Sequence, residues 1–185
     1  MTFPEFNLAQ AIGLIAYVCV LYSFSQKRDS RFISGQIVSS IFWVAHYFMM
    51  AKFAASAVTG VHVIRYGSAP FARANKKWSL IVAIIVALLY VCCGLLFANE
   101  FIDWMPIIAS IIGSFAVALL HGIRMRIVFL VVSACWLSFN LLSHSIGGVL
   151  TDISVLTINA ITILRLRRDQ ARELAFERTP LGPPA

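Results

Sequence analysis

Charge is scarce in this 185-residue chain. Asp, Glu, Lys and Arg make up 12% of it, against 60% hydrophobic residues and a mean hydropathy of +0.85. Soluble domains carry about 25% charge, so the composition excludes a soluble catalytic domain. Acid is scarcer than base, with eight Asp and Glu against fifteen Lys and Arg. The resulting +7 would suggest nucleic acid in a soluble protein. Here the cations flank apolar runs, and nucleic acid is discounted as a partner. Cysteine is equally sparse: Cys19, Cys92, Cys93 and Cys135 all lie in apolar runs without CxxC spacing. They read as small hydrophobes, with no disulfide or metal role. No HExxH, no paired acids and no Ser-His-Asp set at helical spacing occur, so we expect neither an enzyme nor a cofactor. His46, His121 and His144 are scattered without an i, i+4 partner, which predicts no metal. The first six residues contain Glu5 and no base, unlike the n-region of a cleaved signal peptide, so the first helix is expected to be retained.

What the chain does have is apolar runs, at residues 7–24, 32–50, 53–67, 78–98, 103–121, 123–142 and 145–166. A spanning helix needs about 20 mostly apolar residues, so seven spans consume nearly the whole sequence and make the lipid bilayer the first partner. With the C-terminus in the cytoplasm, Lys27, Arg28 and Arg31 fall on one side with Arg65, Arg73, Lys76, Lys77, Arg124, Arg126 and Arg165 through Arg178. Only Lys52 falls outside. Such asymmetry in short loops orients the chain N-out, C-in. Arg65, within a turn of its span's cytoplasmic end, is expected to snorkel to the interface. Beyond Arg165 a short helical extension is expected, then a disordered end containing Pro180, Pro183 and Pro184.

The sequence also repeats. A shift of 93 positions lays the second and third spans on the sixth and seventh: Ser40 meets Ser133, Trp43 meets Trp136 and Tyr47 meets Asn140. Each trio has i, i+3, i+7 spacing and shares one helical face. Ala54-Ala55 meets Gly147-Gly148, Thr59 meets Asp152 and Tyr66 meets Asn159, while Gly13 stands opposite Gly113 at a different offset. Three spans are an odd number, so a fourth must carry the chain back before the second three can insert the same way. The expected fold is an all-α membrane protein of seven transmembrane helices, two parallel three-helix bundles joined by a linker helix (3+1+3). Residues 1–68 form the first bundle, 69–100 a cytoplasmic loop and the linker helix, 101–166 the second bundle and 167–185 a cytoplasmic tail. The fourth span, nearly devoid of hydrogen-bonding side chains, is expected to face lipid.

The G-L-I-A-Y run at residues 13–17, the S-x-x-W element at Ser40–Trp43, the matching second half and the overall length resemble the YgjV family of bacterial inner-membrane proteins. The resemblance covers most of residues 7–166 and implies a multi-pass location in the bacterial inner (cytoplasmic) membrane. More distantly, the 3+1+3 plan resembles SWEET sugar facilitators, PQ-loop transporters, the ER-retention-signal receptor and PnuC vitamin transporters. No Pro-Gln dipeptide is present and only Pro106 lies within a run, so the proline hinges and substrates of those relatives do not carry over.

Asp152 is the one acid well inside an apolar run. An acid at mid-membrane costs about 2.5–3.5 kcal/mol on insertion scales and normally faces a bundle interior or water. Asn159, seven residues on, shares its face. His62 shares a face with Thr59 and Tyr66 and is the expected partner of Asp152, as a cation or proton site or as a neutral interhelical hydrogen bond. Trp43 and Trp136, equivalent by repeat and near mid-span, offer stacking surfaces, with Tyr47 and Asn140 supplying hydrogen bonds one turn away. The expected site for a small polar solute is therefore Trp43, Trp136, Tyr47, Asn140, Asp152, Asn159 and His62. The leading expectation is a small-solute transporter or facilitator alternating access between two pseudo-symmetric bundles. Protons are an added partner through Asp152 and His62. The alternative is a non-transporting receptor or accessory protein of the same architecture. A homo-oligomer is compatible with either. The small-residue runs Ser56-xxx-Gly60 and Ala109-xxx-Gly113 are expected to pack the bundle.

Overall fold

In the computed structural model, residues 6–26 and 28–178 are described. Glu5, Lys27 and the proline-bearing end lie outside them. The described residues form seven helices: α1 (Leu8–Ser25), α2 (Asp29–Met49), α3 (Phe53–Ala74), α4 (Lys76–Phe97), α5 (Trp104–Leu119), α6 (Gly122–Leu142) and α7 (Ile146–Arg178). A 3-10 turn, Phe101–Asp103, precedes α5. The stops and starts have local causes. Asn7 accepts the amide of Gln10 (3.0 Å) to begin α1, and Asn75, between α3 and α4, accepts that of Lys77 (2.9 Å). At the 3-10 turn Glu100 and Asp103 cap each other, and Asp103 Oδ2 also accepts the Asn99 amide at 3.0 Å. Pro70 lies inside α3, near its end, so α3 extends past the apolar run that first marks it. The extension expected after Arg165 continues α7 without a break to Arg178.

Six of the seven helices are long and apolar enough to cross a membrane, and α3 is not among them. Its 22 residues would reach about 33 Å, so length is not the obstacle. Ser56, Thr59, His62, Arg65, Tyr66 and Ser68 lower its hydropathy. The packing explains how it carries them. α3 lies against α2, α4 and α5, so protein rather than lipid meets its polar side.

Each helix packs on the next in sequence, α7 closes on α1, and α3 touches α5 across α4. The helices other than α4 therefore form a ring, α1-α2-α3-α5-α6-α7, with α4 seated on the α3–α5 seam. The expectation that the fourth span faces lipid needs correction on one side. Ala83, Val86, Tyr90 and Gly94 of α4 are buried, and Val86 and Tyr90 join Val58, Val61 and Ile107 in one core cluster. Its other side leaves Ile84, Ile85, Leu88 and Leu95 exposed. One phenolic hydroxyl in a long apolar helix was too slight a signal to predict an inward face.

The 93-residue repeat extends to the backbone. The α2–α3 turn is closed by Met50 N donating to His46 O, Ala51 N to Phe48 O and Lys52 N to Tyr47 O. The α6–α7 turn has Ser143 N to Phe139 O, His144 N to Leu141 O and Ser145 N to Asn140 O. Every donor and acceptor is displaced by 93. Both turns pivot on a left-handed residue that is not glycine, Ala51 (φ 55°) and His144 (φ 54°). The bond from the second residue past the helix back to its last turn is a Schellman closure, which favours glycine at that pivot. Left-handed backbone costs an L-residue roughly 1–2 kcal/mol, so His144→Gly should stabilise the fold by about 0.5–1 kcal/mol net. Thermal unfolding in detergent should show a rise of about 2–4 °C.

The Gly13–Gly113 match does not carry into packing. Gly13 lies against the His46 ring, whereas Gly113 lies against Val132 and Arg65. Val132 corresponds by repeat to Ser39, two turns from His46 along α2, so the two glycines sit at different heights.

Candidate functional site

Three polar side chains connect in series through the interior. The Tyr47 hydroxyl donates to Asn140 Oδ1 (2.9 Å), and Asn140 Nδ2 donates to Asp152 Oδ2 (2.8 Å). Tyr47 and Asn140 are repeat equivalents, so α2 and α6 meet here through the same position of each half. All three are buried, Asp152 with 9% of its surface exposed. Gly148 makes the link possible. A Cβ at that position would run into the Asn140 side-chain amide, so the absent side chain lets Asn140 lie across the α7 backbone and reach Asp152 one turn on.

Aromatic rings surround this series. Trp43 stacks on Tyr47 (centroids 5.5 Å, planes 22° apart), and Trp136 also lies against Tyr47, tilted, at 6.1 Å. Phe139 meets Tyr47 and Trp136 edge-on at 5.9 and 6.0 Å. The two tryptophans expected to offer paired stacking surfaces thus both lie against Tyr47.

Two expected members lie elsewhere. His62, expected to partner Asp152, directs Nε2 to the Ser110 hydroxyl of α5 at 3.1 Å, with Trp136 beside its ring at 6.1 Å. The carboxylate of Asp152 is bonded to an amide instead. Asn159, expected to share a stripe with Asp152, accepts from Arg126 Nη1 (3.0 Å) and donates to Val155 O (3.0 Å). Seven residues of helix separate it from Asp152 by about 10 Å, far enough to serve a different layer. Arg65 also departs from expectation. Its guanidinium turns inward over the Tyr66 ring (5.1 Å), with Nη1 3.5 Å from Ser114 Oγ. Ser110 and Ser114 on α5 match His62 and Arg65 on α3 by turn spacing, a pairing visible in sequence only once α3 is known to lie on α5.

His46 is the largest omission. It is fully buried, with Nδ1 2.7 Å from Ala9 O and Nε2 2.8 Å from Ser145 Oγ. A carbonyl can only accept, so Nδ1 carries the proton and Nε2 accepts from Ser145 in the neutral ring. Ser145 Oγ in turn accepts the Gly148 amide (3.1 Å). Gln10 adds a second clasp, donating to His144 O (2.8 Å) and accepting the Ile146 amide (3.0 Å). The α6–α7 turn is thereby tied to α1 and α2. His46→Ala removes both ring hydrogen bonds, leaving the buried Ser145 hydroxyl with no acceptor for its proton in place of Nε2, and opens a cavity; it should cost about 3 kcal/mol. Chemical or thermal unfolding of the purified variant checks this.

Among the described residues, two of the clefts lie away from the aromatic centre. One of about 320 Å³ lies between α1 and α2, lined by Cys19, Tyr22, Ser30, Arg31 and Ser34 among others. The smaller, about 110 Å³, holds Lys52, Asn99, Glu100 and Asp103. Among the described residues no group of His, Cys, Asp and Glu is placed to hold a metal ion.

A family model described as bacterial inner membrane protein, Imp-YgjV, matches residues 7–170. The chain belongs to the Imp-YgjV family. It is also similar to the inner membrane protein YgjV of Escherichia coli (strain K12), 28% identical over 176 residues, which cover 94% of this chain and 93% of that protein. No solved structure matches. Membership with six candidate spans makes this Imp-YgjV protein a multi-pass protein of the bacterial inner membrane. The match takes in α1 to α6, α7 as far as residue 170, and every interior residue described above.

Proposed function

We propose that this Imp-YgjV protein moves a small polar solute across the inner membrane, by rocking of two three-helix halves about the Tyr47–Asn140–Asp152 series. The observation that carries the reading is the hydrogen bond between Tyr47 and Asn140, a contact between repeat-equivalent positions, with a buried carboxyl attached to one side. Intramembrane acids mark solute or proton pathways by default, and repeat interfaces are where transporters hold substrate. In this reading α1–α3 and α5–α7 are the halves, α3 crosses the membrane as a seventh span, and α4 is the connector. Support comes from the ring order. The α3–α5 contact corresponds by repeat to the α7–α1 contact, as a twofold along the membrane normal requires. The N-out, C-in orientation has support from Arg28, Arg31, Lys76, Lys77 and Arg124, grouped at the helix ends opposite Lys52 and Glu100.

Flux into liposomes reconstituted with the full chain tests the proposal, after ligands are ranked by the rise in melting temperature they give. Sugars, nucleosides, vitamins, amino acids and amines form the panel. A hit that moves across the bilayer and is lost in Trp43→Ala supports the reading. Binding without flux supports the second reading, a receptor or accessory protein. One observation favours that alternative: the central side chains are bonded to one another, as in an interior built to stay closed.

A further inference from the structure

About 10 Å along the helices from Asp152 lies a second polar layer with the opposite charge. Arg65 of α3 stacks over Tyr66, and Arg126 of α6 donates to Asn159. Tyr66 and Asn159 are repeat equivalents, so each guanidinium contacts the same position of the repeat. Both side chains are partly buried. Neither has a carboxylate partner among the described residues. Among the described residues Arg65 has the 3.5 Å approach to Ser114, at the edge of hydrogen-bond distance, and Arg126 the bond to Asn159. A guanidinium has five N–H donors in a fork that suits carboxylate or phosphate.

A second observation singles out the same place. Tyr90 of α4 is completely buried, and its hydroxyl has no hydrogen-bond partner among the described residues. It lies beside the Arg65 guanidinium and Ser114. A buried hydroxyl without a partner is rare in a stable fold, and this one abuts a guanidinium with free donors. Gly113 keeps the wall of α5 low here, with Arg65 Nη1 3.9 Å from where a Cβ would stand.

We infer that Arg65, Tyr90 and Ser114, with Arg126 across the interior, form a binding site for a small anion bearing a carboxylate or phosphate group. The inference deepens the transporter reading by naming the charge of the solute. The anion supplies the counter-ion that the Arg65 fork lacks and accepts a hydrogen bond from the Tyr90 hydroxyl. The single acid does not oppose it, because Asp152 lies in the other layer and is bonded to Asn140.

The test is thermal unfolding of the full chain in phosphatidylcholine nanodiscs, titrated with inorganic phosphate and then acetate against chloride at matched ionic strength and pH. Phosphate or acetate is expected to raise the melting temperature saturably. Arg65→Gln and Arg65→Lys should each weaken that response about tenfold or more, since a charge-assisted forked pair is lost. Tyr90→Phe should weaken it about fivefold while leaving the unliganded protein at least as stable, because the hydroxyl removed has no partner to lose. A purely structural tyrosine would show the reverse. If phosphatidylglycerol in the disc stabilises the protein through Arg65 and phosphate does not, the anion is a lipid headgroup held at the same site. No saturable response from either source, or a response that survives Arg65→Gln, overturns the site. Flux separates this from the parent proposal. Anion binding without transport leaves the site and removes the transporter, whereas transport of neutral solutes unaffected by Arg65→Gln does the opposite.

Discussion

Gly147→Ala is expected to destabilise the protein by about 3 kcal/mol, at the upper end of the cost of overpacking. A Cβ on Gly147 would collide with the Gly13 carbonyl of α1 and stand 3.0 Å from the Leu14 amide. These are backbone atoms, so no rotamer change can relieve the contact and α1 must move away from α7. That displacement would also strain the clasp around it, since His46 bonds Ala9 and Gln10 bonds the α6–α7 turn. The better helix propensity of alanine returns at most about 1 kcal/mol. A fall in melting temperature on the order of 10 °C should follow. Gly67→Ala is the matched control, because nothing lies within 4 Å of a Cβ there. It should leave the melting temperature unchanged or slightly raised. Equal melting of the two variants would mean that α1 and α7 are not in contact through these glycines.

Gly147 and its neighbour Gly148 show how far the sequence could be read. Ala54-Ala55 against Gly147-Gly148 was visible as a repeat of small residues, and the repeat proved deep enough to reproduce whole turns. Its 93-residue period recurs in backbone bonds and in the left-handed pivots at Ala51 and His144. What periodicity could not supply was which helices touch across the ring. Tyr47, Asn140 and Asp152 were legible because each stands out against an apolar face. His46 was not, because its partners are a backbone carbonyl and a turn serine, neither of which has a sequence signature. Arg65 was misread for a related reason. Distance from a helix end argues for snorkelling to water, and only the α3–α5 contact reveals Ser114 and Tyr66 as its surroundings. His62 went to Ser110 rather than Asp152 because the face shared along one helix says nothing about which neighbour stands opposite.

The interior that results is layered by charge, a carboxyl bonded to amide in one layer and two guanidinium groups in the other. This separation gives the substitution of Asp152 its meaning. Asp152→Asn keeps an oxygen to accept from Asn140 Nδ2 and removes only the ionisable group, so the fold should remain. Relief of the membrane cost of an acid, about 2.5–3.5 kcal/mol on insertion scales, should make the variant as stable as the parent or more so. Asp152→Leu is different. It leaves the buried Asn140 amide with no acceptor at a cost of about 1–3 kcal/mol, and frees Asn140 to turn away from Tyr47. Under the transporter reading, Asp152→Asn should lower solute flux into liposomes at least about tenfold, the size expected when one intramembrane group worth roughly 1.4 kcal/mol or more in the rate-limiting state is lost. Dependence of flux on an imposed pH gradient should vanish with it. Flux that ignores the gradient in the parent and persists in Asp152→Asn would rule out coupling through this carboxyl. It would reduce Asp152 to a hydrogen-bonding partner that holds α7 against α6, a role the Asn140 bond alone could fill.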